Sequence, residues 1–87
     1  MTYIVTFDPI GSGAENAIRQ QLKTLPSYCP IHTYCWAVIS DMNAVQLRDY
    51  LLQVSPESRI FVVRSGTEAA WMNSYGPAHT EWLKKNL

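Results

Sequence analysis

No stretch of this sequence approaches the roughly 20 consecutive apolar residues that a membrane span requires. The longest apolar runs are Trp36 to Ile39 and Ile60 to Val63, so no membrane partner is expected. The opening MTYIVTFDPIGSG has no basic region, and Asp8 and Pro9 interrupt it before a signal-length apolar core develops. It does not read as an export signal, and a cytoplasmic location is expected. Charge is also scarce. Charged residues make up 16% of the chain, with seven Lys plus Arg against seven Asp plus Glu. A zero net charge argues against a generic nucleic-acid coat, which needs an excess of cations on some face to displace counterions. Only Cys29 and Cys35 carry thiols, with five residues between them. That spacing matches neither a CxxC redox pair nor a four-ligand zinc site, and it leaves two free, buried thiols as the simplest reading.

What is present suffices for one domain. With 47% hydrophobic residues over 87 positions, the chain can fill a single small core. At this size only roughly 60–65% of the unfolded surface is buried on folding, so self-association would add needed stability. Thr2 to Phe7 is β-branched and aromatic and reads as a central strand. Ser12 and Glu15 form a capping-box pattern ahead of Ala14, Ala17, Ile18, Leu22 and Leu25, which predicts a first helix over about 13–25, ended by Pro26. Ser27 to Ser40 is too long for one strand and predicts two, divided near Thr33 to Cys35. Asn43 and Gln46 form a second capping pattern, with Met42 placed to staple onto Leu47. The stripe Ala44, Leu47, Leu51, Val54 predicts a second helix, stopped at Ser55-Pro56. The continuous run Arg59 to Val63 then predicts a strand buried on both faces or centrally placed, and the topology it completes puts it beside strand one in the middle of the sheet. The order is βαββαβ, an α+β, ferredoxin-like pattern over residues 1–64. Residues 65–87 form a C-terminal helical extension: a polar Ser65-Gly66-Thr67 turn, an Ala-Ala-Trp-Met cluster and an amphipathic HTEWLKKNL capped by Thr80. The extension packs on the same domain or on a second protomer.

The segments YIVTFD, HTYCWAVIS, AVQLRDYL, IFVVRS, GTEAAW, SYG and EWLKKNL together resemble the small bacterial proteins labelled SinR-like. The terminal AAW and EWLKKNL are the most specific parts. Over residues 2–64 the topology and one acidic residue are also similar to VapD toxins and to the dimeric CRISPR-associated endoribonuclease of the adaptation machinery. This resemblance implies a ferredoxin-like homodimer in which the Asp closing strand one, here Asp8, faces its symmetry mate. It implies a catalytic and metal-binding role for Asp8, with magnesium or manganese shared between two carboxylates and activating water against a phosphodiester. Cys35 stands where that nuclease family commonly has a hydroxyl residue, and a thiol is a poorer partner for an oxygen-ligated metal.

Each of these residues also has a plainer reading. Asp8-Pro9 is a common turn former. Gly11-Ser12-Gly13 before a helix can cradle an anion, but it lacks a Walker lysine and suits ordinary loop and cap chemistry. His32, Tyr34 and Trp36, two apart, would share a strand face and form a base-stacking platform, or be covered by the tail or by a partner. Cys35 and His32, three apart in one strand, would point to opposite faces, which argues against thiol catalysis. His79 after Gly76-Pro77 suits a solvated loop or a helix N-terminal contact. Any nucleic-acid site is expected at a basic edge made of Arg59, Arg64, Lys84 and Lys85. Trp36, Trp71, Tyr75 and Trp82 are candidate dimer or partner contacts.

Two function classes follow. One is a homodimeric metal-dependent ribonuclease or phosphodiesterase, or a degenerate nucleic-acid-binding relative, acting on RNA or DNA. The alternative is a non-catalytic protein-binding module such as an adaptor, antitoxin or immunity protein, favoured by zero charge and abundant Trp and Tyr.

Overall fold

Alternation along the first strand sets the architecture. In the computed structural model, which describes residues 1–66 and 68–87, β1 (Thr2–Asp8) buries Tyr3, Val5 and Phe7 on one face and turns Ile4, Thr6 and Asp8 to the other. After it come α1 (Ala14–Leu22), β2 (Ser27–His32), β3 (Cys35–Ile39), α2 (Ala44–Leu52), β4 (Arg59–Arg64) and α3 (Pro77–Asn86). The four strands form one antiparallel sheet in the order β2-β3-β1-β4, an α+β arrangement compatible with a ferredoxin-like type. Among the described residues no helix is long and apolar enough to cross a membrane.

The two sheet faces carry separate cores. On one, Tyr3, Val5, Phe7, Trp36 and Val38 meet Ile18 and Leu22 of α1 and Leu47 and Leu51 of α2. The other holds a smaller cluster, in which Leu83 of α3 sits on Cys29 and Ala37, flanked by Ile4, Ile31, Trp71 and Trp82. The C-terminal extension thus packs on its own sheet, over β2. A half-face remains open beside it, where Phe61 is 64% and Val63 45% exposed.

Several expectations are corrected. β4 is an edge strand, bonded only to β1, and the central pair is β1 and β3. Its apolar run divides by the pleat: Ile60 and Val62 pack under the helices, while Phe61 and Val63 face the open side. Ser12 does not cap α1. Gly13 takes the N-cap position in the left-handed region at φ 76°, which glycine alone adopts at little cost, and leaves Ser12 exposed outside the helix. α3 begins at Pro77, whose fixed φ and missing N–H suit a first helical position. Thr80 is therefore inside the helix, with its hydroxyl 2.6 Å from that of Ser74, and His79 sits in the first turn. Val54 lies beyond α2 and is exposed.

Other expectations hold. Asn43 and Gln46 form a complete capping box at 2.8 and 2.9 Å, and Met42 packs on the core that contains Leu47. The β2–β3 break falls at Thr33-Tyr34, within the expected region. The polar turn expected at Ser65-Gly66-Thr67 includes Thr67, which lies outside the described residues.

Candidate functional site

Strand register brings Asp8 to a charged partner. Asp8 is the last residue of β1 and stands directly opposite Arg59, the first of β4. Arg59 Nη1 donates to Asp8 Oδ2 at 2.8 Å, and both side chains are largely exposed. Two further ties hold this end of the sheet. The Ile10 N–H donates to the Ser58 hydroxyl at 2.8 Å, and the buried Ser55 and Ser58 hydroxyls bond each other at 2.5 Å. The loops after β1 and before β4 are thereby fixed together, so the ion pair is placed by backbone rather than by two free side chains.

An open groove of about 400 Å³ lies against this pair, and Thr6, His32, Tyr34 and Phe61 line it with Asp8 and Arg59. Tyr34 stands edge-on to Phe7, with ring centroids 5.7 Å apart. Hydrogen bonding to the Glu15 side chain, and then the charge of Glu15, raise its phenol above the usual range. The groove therefore combines a carboxylate, a guanidinium, an imidazole, a phenol and an exposed aromatic face. Such a set can grip an anion, stack a planar ring and exchange protons.

Within one chain these residues do not fit a divalent cation. The lone carboxylate is already engaged by a guanidinium, and among the described residues no three His, Cys, Asp or Glu side chains gather. Magnesium and manganese require several oxygen donors. The second carboxylate would have to come from a twofold mate.

The remaining expected site residues scatter. Arg59 and Arg64 lie at opposite ends of β4, about 17 Å apart at ordinary strand rise. Lys84 and Lys85 are on α3 over β2, at the far edge of the sheet. The four cations do not form one basic edge. Trp36 is 4% exposed and packs in the main core. Trp71 and Trp82 are half-buried against the second core, which leaves Tyr75 as the exposed member of that set.

His32, Tyr34 and Trp36 do not share a strand face, because the turn at Thr33-Tyr34 intervenes and Trp36 is buried. The same turn makes His32 and Cys35 direct cross-strand partners, contrary to the opposite-face expectation. Thiol chemistry is disfavoured for another reason: burial raises the pKa of both Cys35 and Cys29. The α1 N-terminus faces a depression that Glu57 also lines, with Glu15 in the first turn, so carboxylates oppose an anion there.

Arg19 and Lys23 were not singled out by sequence. Their spacing of four on α1 was the available signal, and both line a second groove beside His32.

No protein-family model, curated protein or solved structure matches this chain.

Proposed function

We propose that this protein is a ferredoxin-like, nuclease-type homodimer that binds and cleaves an RNA phosphodiester in the Asp8–Arg59 groove. One observation carries the reading: the Asp8–Arg59 pair opens onto a groove that also holds His32, Tyr34 and Phe61. A phosphodiester competes with Asp8 for the guanidinium, whose planar fork suits two phosphate oxygens. Tyr34 offers a ring face or edge to an unstacked base. RNA is favoured over DNA because its 2′-hydroxyl is an internal nucleophile, usable where the described residues of one chain gather no metal-ligating cluster. The 2′-oxygen bonds to phosphorus, its proton passes to His32, the P–O5′ bond breaks, and water protonates the leaving oxygen. The open half-face with Phe61 and Val63 supplies apolar surface for a second copy, which would bring in the other Asp8. Magnesium or manganese enters this reading only between two such carboxylates.

The test is cleavage of single-stranded and structured RNA, with DNA for comparison, in EDTA and in magnesium or manganese. Asp8→Ala, His32→Ala and Arg59→Gln are run alongside. RNA cleavage that falls at least tenfold in His32→Ala and Arg59→Gln, and in Asp8→Ala where magnesium or manganese supports it, is expected; equal cleavage by all three sinks the reading.

The exposed Phe61 and Val63 favour a second reading, a non-catalytic module that docks another polypeptide on this half-face. A stoichiometric complex lost in Phe61→Ser, from protein without nuclease activity, supports it.

A further inference from the structure

On the other side of the β2–β3 turn, Arg19, Lys23 and His32 line a groove of about 310 Å³ together with Trp36 and Tyr75. Lys23 is the C-cap residue of α1, still in right-handed helical conformation and one turn after Arg19, so both project to the same side. Arg19 Nη2 donates to the Thr33 carbonyl at 3.2 Å and lies 3.6 Å from Glu15, which fixes the guanidinium beside the turn. Its Nε is buried and has no hydrogen-bond partner among the described residues. Among the described residues Lys23 makes no salt bridge, and no carboxylate lines the groove.

Those features define a ligand class. Three side chains that can donate to an anion and an exposed Tyr75 ring, 57% accessible, suit a phosphate carrying a planar base. The C-terminal end of α1 opposes an anion with about half a negative charge, which the full charges of Arg19 and Lys23 outweigh. His32 lines both this groove and the Asp8 groove, so the two meet at the β2–β3 turn.

We infer that this groove holds a neighbouring nucleotide of a single-stranded RNA whose cleaved phosphodiester lies at Arg59. Arg19 and Lys23 take its phosphate, and Tyr75 stacks on its base. The inference rests on the Asp8 reading for the identity of the polymer, and it adds the path the strand follows.

The test uses the full chain and a fluorescent six-nucleotide RNA with 2′-O-methyl groups, which binds without being cut. Anisotropy titrations at several salt concentrations compare wild type, Lys23→Glu, Tyr75→Ala and Asp8→Ala. Lys23→Glu is expected to weaken binding at least tenfold and to flatten the dependence of log K on log salt by about 0.7 to 1.4. Tyr75→Ala is expected to weaken it about fivefold or more, and Asp8→Ala, which frees Arg59 for a phosphate, to strengthen it modestly. Binding by Lys23→Glu within twofold of wild type overturns the inference. So does competition by polyglutamate as effective as that by unlabelled RNA, which would assign the groove to acidic peptides. Lys23-dependent binding without cleavage of natural RNA by wild type refutes the Asp8 chemistry and keeps the groove. Cleavage that survives with Lys23-independent binding does the reverse.

Discussion

Trp82 on α3 donates its indole N–H to the hydroxyl of Ser27 at the start of β2, at 2.7 Å and 55 positions away in sequence. That bond and the burial of Leu83 against Cys29 and Ala37 fasten the C-terminal helix to the sheet. Trp82→Phe keeps most of the apolar contact and is expected to lose about 1 kcal/mol. Leu83→Ala leaves a cavity and is expected to lose about 2–5 kcal/mol. Urea unfolding followed by tryptophan fluorescence measures both; a larger loss in Trp82→Phe than in Leu83→Ala would mean that the hydrogen bond, not the packing, holds the helix.

Asp8 and Arg59 are expected to matter far more for chemistry than for stability. Both are exposed, and exposed ion pairs contribute about 0–1 kcal/mol. A double-mutant cycle with Asp8→Asn and Arg59→Gln should give a coupling under about 1 kcal/mol by denaturation. A much larger value would make the pair a structural clamp.

The two thiols give stability a pH dependence of definite sign. Burial raises the pKa of Cys29 and Cys35 in the folded chain above the ordinary 9.0, so the unfolded chain loses these protons first. The unfolded state then binds fewer protons, and stability falls as pH rises above about 9 toward the folded-state values. Below that range the effect vanishes. Replacing both residues by Ala should flatten the alkaline limb of stability against pH, and a disulfide reagent should label the native chain slowly and the unfolded chain fast.

Tyr34 tests the rim of the groove. Glu15 raises its phenol pKa through hydrogen bonding and charge. Glu15→Gln is therefore expected to move the Tyr34 titration to lower pH, read from ring carbon shifts by NMR. An unmoved titration would separate the two side chains.

Phe61 and Val63 test self-association. Phe61→Lys with Val63→Thr removes the apolar half-face, and sedimentation is expected to shift from dimer to monomer with little change in thermal stability. A dimer that persists places the interface elsewhere.

Sequence periodicity revealed much of this scaffold. The element order, the hairpin break and the Asn43–Gln46 box depend on local patterns that the chain obeys. The position of β4 was not legible, because IFVV reads alike whether both faces are covered or one lies open. The cap of α1 was misassigned to Ser12 because the backbone freedom of Gly13 displaced a good side-chain cap. Asp8 was visible as a strand-end carboxylate, yet its guanidinium partner 51 positions on follows only from strand register. The cross-strand meeting of His32 and Cys35 was hidden because two-residue alternation fails across a turn. The Arg19–Lys23 groove depends on how α1 lies against the hairpin, which local sequence does not encode.

The outer side of β4 has one further consequence. Unpaired strand backbone bearing Ile60, Phe61, Val62 and Val63 is the kind of template on which chains stack into fibrils. Arg59 and Arg64 bracket those four residues. In a register-matched stack each arginine would lie over its copies at strand spacing, and the repulsion would recur at every layer. The two cations that fail to meet in a shared binding edge thus stand where charges oppose such stacking.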